Sequence, residues 1–134
     1  MPVLKRDTMT VRSETDVVAV RQIVRKWAAE LGFSLVDQTK IVTAASELAR
    51  NTLIHGGGGT ASLEALAEGI RKGLRLIFAD QGPGIPDLDL ALRDGYTTGG
   101  GLGLGLSGSK RLMTEFEIVS QVGVGTRVTV TKWK

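Results

Sequence analysis

The chain has 134 residues, 42% of them hydrophobic and 23% charged, which suits one soluble globular domain spanning residues 1–134. It has no cysteine, so disulfides and thiolate metal sites are excluded, and no apolar run approaches bilayer length. A net charge of +3 with 4% aromatic residues gives no basic, stacking-rich surface, so no nucleic acid and no membrane are expected as partners. The first residues form no apolar signal segment, and a cytoplasmic location is expected.

Val3 to Val11 reads as a first strand. Ser13-Glu14-Thr15-Asp16 is a helix-start signal, and the helix it opens runs to about Leu31. Val17, Val20, Ile23, Val24, Trp27, Ala28 and Leu31 recur at three- and four-residue steps and make one apolar stripe. Gly32 is placed to end it. Ser34-Leu35-Val36-Asp37 is a box-like cap on a second helix, which reaches about His55 before the four glycines Gly56 to Gly59.

The alanines and glutamates of Thr60 to Glu68 favour helix, but its glycine borders and the strand that follows favour a hairpin arm, and strand is the prediction. Gly69 to Gly73 reads as a basic turn and Leu74 to Ala79 as a central strand. A short helix is predicted over Asp87–Arg93 and another over Leu106–Glu115. Two strands, Glu117–Gln121 and Arg127–Trp133, follow, joined by Gly123-Val124-Gly125-Thr126. Val128 and Val130 alternate with Thr129 and Thr131, so one face should be buried.

Several residues carry possible chemistry. Glu47, Asn51 and His55 stand four apart and line one face of the second helix. An amide oxygen is a neutral hard ligand that suits Mg2+, and a carboxylate one turn earlier can accept a proton from a hydroxyl. A solvated polar helix face would show the same spacing. The strand before Asp80 runs into Gln81-Gly82-Pro83-Gly84-Ile85-Pro86, a tight turn. Gly82 and Gly84 would let a flat ligand approach the backbone, and Asp80 could accept from an exocyclic amine such as that of adenine. Equally, Asp80 could cap local N–H groups of a structural turn.

From Gly95 to Gly108, seven of fourteen residues are glycine. Bare N–H groups opening into a helix favour phosphate. Gly103, Gly105 and Gly108 fit G-x-G-x-x-G, but no strand precedes them. Gly103 and Gly108 have P-loop spacing, but Ser109 and Lys110 come in the reverse order. A loop without a ligand remains the alternative.

Taken in order, four segments resemble the N box, G1 box, G2 box and closing Gly-Thr motif of the GHKL superfamily, which includes gyrase, Hsp90-type chaperones, histidine kinases and MutL. They are Glu47-x-x-x-Asn51 on a helix, Asp80-x-Gly82-x-Gly84 at a strand's end, the Gly99 to Gly105 run, and Gly123-x-Gly125-Thr126. The resemblance implies an α+β fold, a two-layer sandwich with a mixed β-sheet and helices packed on one face. Within the superfamily the chain is similar to the small serine kinases of bacterial partner-switching systems, those of the stressosome in particular. Ser46 to Asn51, Asp80 to Pro86, Gly100 to Gly103 and Lys110 to Met113 carry that similarity.

The resemblance implies a protein serine/threonine kinase using ATP and Mg2+. Asn51 would hold the metal and Glu47 would orient or deprotonate the acceptor hydroxyl. Asp80 would read adenine beside Gly82 and Gly84, with Thr126 supporting that contact through water. Gly101, Leu102, Gly103, Leu104 and Gly105 would offer backbone to the phosphates, in a lid that orders with nucleotide. Lys110 reads as a solvated lysine and His55 as structural. Without a phosphoacceptor histidine on a helix pair, the acceptor should be another protein. In the resembled family it is a STAS-domain protein, and the freed kinase activates a PP2C-type phosphatase. An anti-sigma-factor kinase and a nucleotide-gated binding module with little catalysis are the alternatives.

Overall fold

The structure, a computed structural model, describes residues 2–93 and 105–134. Val3–Val11 forms strand β1, followed by helices α1 (Glu14–Glu30) and α2 (Leu35–Ile54). Both helices start where the sequence places a cap. The Ser13 hydroxyl accepts from Asp16 N–H at 3.2 Å, and the Ser34 hydroxyl accepts from Asp37 N–H at 3.1 Å. Gly32, at φ +86°, lets the chain turn from one helix to the next.

Strands β2 (Gly59–Glu68) and β3 (Arg71–Asp80) form the next hairpin. Thr60–Glu68 is therefore strand, because Ala61, Leu63 and Ala65 alternate into the core and outweigh the helix propensity of its alanines and glutamates. The basic turn narrows to Gly69-Ile70, with Arg71, Lys72 and Gly73 already in β3. Their place is set by Trp133: Gly73 pairs with it in register, a side chain at 73 would overlap its ring, and Arg71 lies 4.5 Å over that ring.

Helix α3 (Leu88–Ala91) is one turn long, and its cap Asp87 accepts from Leu90 N–H at 3.0 Å. Helix α4 (Gly105–Leu112) is shorter than predicted, for β4 (Glu115–Gln121) begins where the helix was expected to end. Thr114 N–H donates to the Thr131 carbonyl at 2.9 Å and Glu115 pairs with Thr131, so sheet pairing overrides the local helical preference. β5 (Gly125–Trp133) completes a sheet ordered β1-β2-β3-β5-β4. Every pairing in it is antiparallel, where a mixed sheet was expected. Each crossover to a neighbour is a hairpin or an antiparallel return.

The helices cover one face of this sheet. Val17, Val20, Val24 and Trp27 of α1 and Ile41, Ala45 and Leu48 of α2 pack with Leu63, Leu74, Leu76, Phe78, Val128 and Val130 in one core. The fold is thus the α+β two-layer arrangement. On the sheet's other face Glu64 is buried between two arginines, its register neighbours Arg6 on β1 and Arg75 on β3. Arg6 Nε donates to it at 2.7 Å and Arg75 Nε at 2.6 Å. Burial pushes the Glu64 carboxyl up, but the hydrogen bonds and charges of Arg75 and Arg6 outweigh it and hold the group below its ordinary value.

Candidate functional site

A cavity of about 230 Å³ opens between the C-terminal half of α2, α3, the start of α4 and the adjoining ends of β3 and β5. Leu48, Phe78, Ile85, Leu90, Leu106 and Val128 give it apolar walls. Asn51, Thr52, His55, Asp80, Asp87 and Thr126 bring polar groups to its lining. Apolar walls with a few placed polar groups are the usual composition of a small-molecule site.

Strand register builds the polar floor. Asp80 on β3 stands opposite Thr126 on β5, and Thr126 stands opposite Ser120 on β4. Three polar side chains thus lie in one row across the sheet. Asp80 Oδ1 accepts from Gly82 N–H at 2.9 Å, which orients the carboxylate. Its other oxygen lies beside Gly56, where any side chain would overlap Asp80. The Ser120 hydroxyl meets the Thr126 hydroxyl at 2.8 Å and accepts from Ile85 N–H at 2.8 Å, tying the 82–85 turn to the hairpin.

Glycine is required here by the protein's own backbone. Gly84 sits at φ +78° with Gln121 and Val122 where a side chain would go, and Gly123 N–H donates to the Pro83 carbonyl at 2.9 Å. Gly82 is pressed on Gly56, whose Cα lies 2.7 Å from where a Cβ would stand. The packing that needs these two glycines is turn against hairpin and turn against the end of α2. Gly84 also lines the cavity.

At the opposite wall, α4 begins with Gly105 at φ +68°. The first N–H groups of a helix have no intrahelical partner. In that first turn the Ser107 hydroxyl is buried without a hydrogen-bond partner among the described residues, one residue from cavity-lining Leu106.

The structure therefore brings together Asn51, Asp80, Gly84, Gly105 and Thr126 at one cavity. Glu47 stands one turn before Asn51 on α2, half-buried, and is not among the residues lining that cavity. His55, read as structural from the sequence, also reaches the lining. Gly101, Leu102, Gly103 and Leu104, and with them the expected lid, lie outside the described residues. Sequence reasoning missed Gly56 and Ser120. The signal for Ser120 was its place in the closing hairpin, which sets it opposite Thr126 once the turn is known.

The model of the histidine kinase-, DNA gyrase B- and HSP90-like ATPases matches residues 36–134. The chain belongs to this ATPase family. It is 50% identical over 123 residues to the serine/threonine-protein kinase RsbT of Bacillus subtilis, covering 92% of each protein. An anti-sigma F factor of Thermoanaerobacter is 32% identical over 119 residues, covering 84% of this chain and 82% of that one. Among solved structures, the RsbU and RsbW domains of a Mycobacterium tuberculosis protein match with a TM-score of 0.60 at 23% identity. That match covers 94% of this chain and 32% of that longer one, and it shows the shared fold. The mycobacterial sensor histidine kinase MprB matches with a TM-score of 0.56 at 18% identity over 96% of this chain and 97% of that one. This ATPase-family member is a kinase. No helix among the described residues is long and apolar enough to cross a membrane.

Proposed function

We propose that the chain is a single-domain, Mg-ATP-dependent protein serine/threonine kinase. Its substrate is a STAS-domain antagonist protein in a bacterial stress-response partner switch of the stressosome type. When released, it binds and activates a PP2C-type phosphatase. ATP as phosphoryl donor puts this reaction in the cytoplasm. The observation that carries the proposal is the meeting of Asn51, Asp80 and Thr126, distant in sequence, at one apolar-walled cavity. The 50% identity to a serine/threonine-protein kinase supports the acceptor class.

The residues present fit the nucleotide and its metal. Asp80, with one oxygen already oriented by Gly82, offers an acceptor to an exocyclic amine. The Ser107 hydroxyl, without a hydrogen-bond partner among the described residues, and the leading N–H groups of α4, which a helix start leaves without intrahelical partners, are donors of the kind a phosphate satisfies. Among the described residues no group of three His, Cys, Asp or Glu is arranged to hold a metal. Asn51 would supply one neutral oxygen to Mg2+, an ion that commonly takes few protein ligands alongside substrate phosphates. The metal supplies charge neutralisation at the phosphates.

Glu47 orients the acceptor hydroxyl and takes its proton as the hydroxyl oxygen bonds to the γ-phosphorus and ADP leaves. Asn51, Asp80 and Thr126 position the nucleotide, which is most of what phosphoryl transfer requires. The test mixes the protein, Mg-ATP and candidate STAS proteins and seeks phosphoserine or phosphothreonine by mass spectrometry. Asn51→Ala should slow transfer about 100-fold, the size of a lost electrostatic stabiliser. Undiminished transfer in that variant would sink the metal assignment.

Glu47 standing outside the cavity lining favours a second reading, a nucleotide-gated binding module with little catalysis. Partner affinity would then differ between ATP, ADP and no nucleotide while no phosphoprotein forms. The similarity to anti-sigma F factors keeps a sigma factor as the alternative partner in that assay.

A further inference from the structure

We infer that Ser120 is a positioning residue for base recognition: it lends its proton to Thr126, so that the Thr126 hydroxyl donates into the cavity. This rests on the nucleotide reading above. Thr126 lines the cavity and Ser120 does not, yet the two hydroxyls are 2.8 Å apart.

A hydroxyl has one proton to give and two lone pairs to receive. Ile85 N–H, at 2.8 Å, takes one lone pair of Ser120. The Ser120 proton then has two destinations, the Gly125 carbonyl at 3.3 Å and the Thr126 hydroxyl at 2.8 Å. The first distance lies beyond the ordinary range for an O–H donor, and the second lies at its centre. In one arrangement Ser120 donates to Gly125, Thr126 donates to Ser120, and Thr126 offers the cavity only lone pairs. In the other, Ser120 donates to Thr126, and Thr126 turns its own proton to the ligand. The 2.8 Å bond is kept in both. What differs is whether one proton serves a long contact inside the protein or a ligand acceptor. An acceptor in the cavity therefore selects the second arrangement.

The row across the sheet then has a defined polarity. Asp80 accepts and Thr126 donates. Adenine presents the matching edge, an amine that donates beside a ring nitrogen, N1, that accepts. Guanine presents the reverse, a carbonyl beside an N–H. A water between Thr126 and the ring preserves the polarity, since it accepts from Thr126 and donates onward. Ser120 thus acts through Thr126 and never touches the base. Its bond from Ile85 N–H also keeps the turn carrying Gly84 against the hairpin.

The test is calorimetric binding of ATP and of 1-deaza-ATP, which lacks the N1 acceptor, to wild type, Ser120→Ala, Ser120→Thr, Thr126→Val and the Ser120→Ala/Thr126→Val double variant. Thermal melting checks that each is folded. Ser120→Ala, which removes the donor that fixes the direction of the Thr126 proton, should weaken ATP about fivefold and weaken 1-deaza-ATP less than about twofold. Ser120→Thr, which keeps a hydroxyl, should bind ATP as wild type does. The double variant should bind no more weakly than Thr126→Val alone. Equal loss for both nucleotides, additive with Thr126→Val, would show Ser120 to be a clamp on the turn and overturn the inference. So would ATP binding unchanged in Ser120→Ala. A wild type that binds no ATP would instead remove the nucleotide reading on which this rests.

Discussion

At one end of the sheet, β3, β5 and β4 line up Asp80, Thr126 and Ser120; at the other, Gly73 lies flat against the ring of Trp133. Both ends depend on one strand register, yet they are built for different tasks. The cavity end has glycines at positive φ, a turn folded onto a hairpin, and a carboxylate with an oxygen left over. Two of its polar side chains, Asp80 and Thr126, line the cavity. The far end satisfies itself: Trp133 Nε1 donates to Glu115 at 2.9 Å, its backbone N–H donates to the Thr114 hydroxyl at 3.1 Å, and Arg71 covers its ring. Between the two ends, the Arg6–Glu64–Arg75 cluster closes on itself. Under the proposed nucleotide reading, recognition and stability thus fall to different rows of one sheet.

Substitutions can pull these rows apart. The largest effect is expected at Gly125, held at φ +147° with the Asp80 carbonyl where a side chain would go. Gly125→Ala should cost about 3 kcal/mol from backbone strain and the overlap together, read by denaturant unfolding. It should also remove measurable ATP binding, because Asp80 and Thr126 would move apart. Glu64→Ala should cost about 2 kcal/mol, less than a fully buried pair because the arginines reach water. ATP affinity should stay within twofold of wild type. A large loss of affinity in Glu64→Ala would show that the two rows are coupled.

Acid sharpens the same contrast. Glu64 is held below its ordinary value of 4.5, so its contribution is fully present above that pH and is lost as pH falls through the lowered folded value. The stability gap between wild type and Glu64→Gln should therefore narrow on acidification in that window, as measured by urea midpoints from pH 7 to pH 3. A gap constant over the whole range would remove the ion-pair account. The smallest effect is expected at the far end: Arg71→Ala should lose about 0.5–1 kcal/mol of stability, the size of an exposed cation–π contact, with nucleotide binding untouched.

Local signals made much of this molecule legible. Ser13, Ser34 and Gly32 mark helix ends because caps act within one turn. Asn51, Asp80 and Thr126 stand out through short motifs, and all three reach the cavity. Where reading failed, a distant partner decided. Arg71 to Gly73 looks like a turn, since glycine and charge favour one, until Trp133 pairs with it from sixty residues away. Glu115 looks helical until Thr131 claims it. Ser120 looks like an ordinary polar residue in an alternating strand, and only its hydrogen bonds show otherwise.

By itself the sequence determined the capped helices, their apolar stripes, the alternating strands and the order of the motifs, because each depends on residues within a turn or a hairpin of one another. The tertiary structure alone decided that β5 lies between β3 and β4, and hence that Asp80, Thr126 and Ser120 share one row. That pairing joins segments about forty-five residues apart and is set by which faces can be buried together, a choice that no local pattern records.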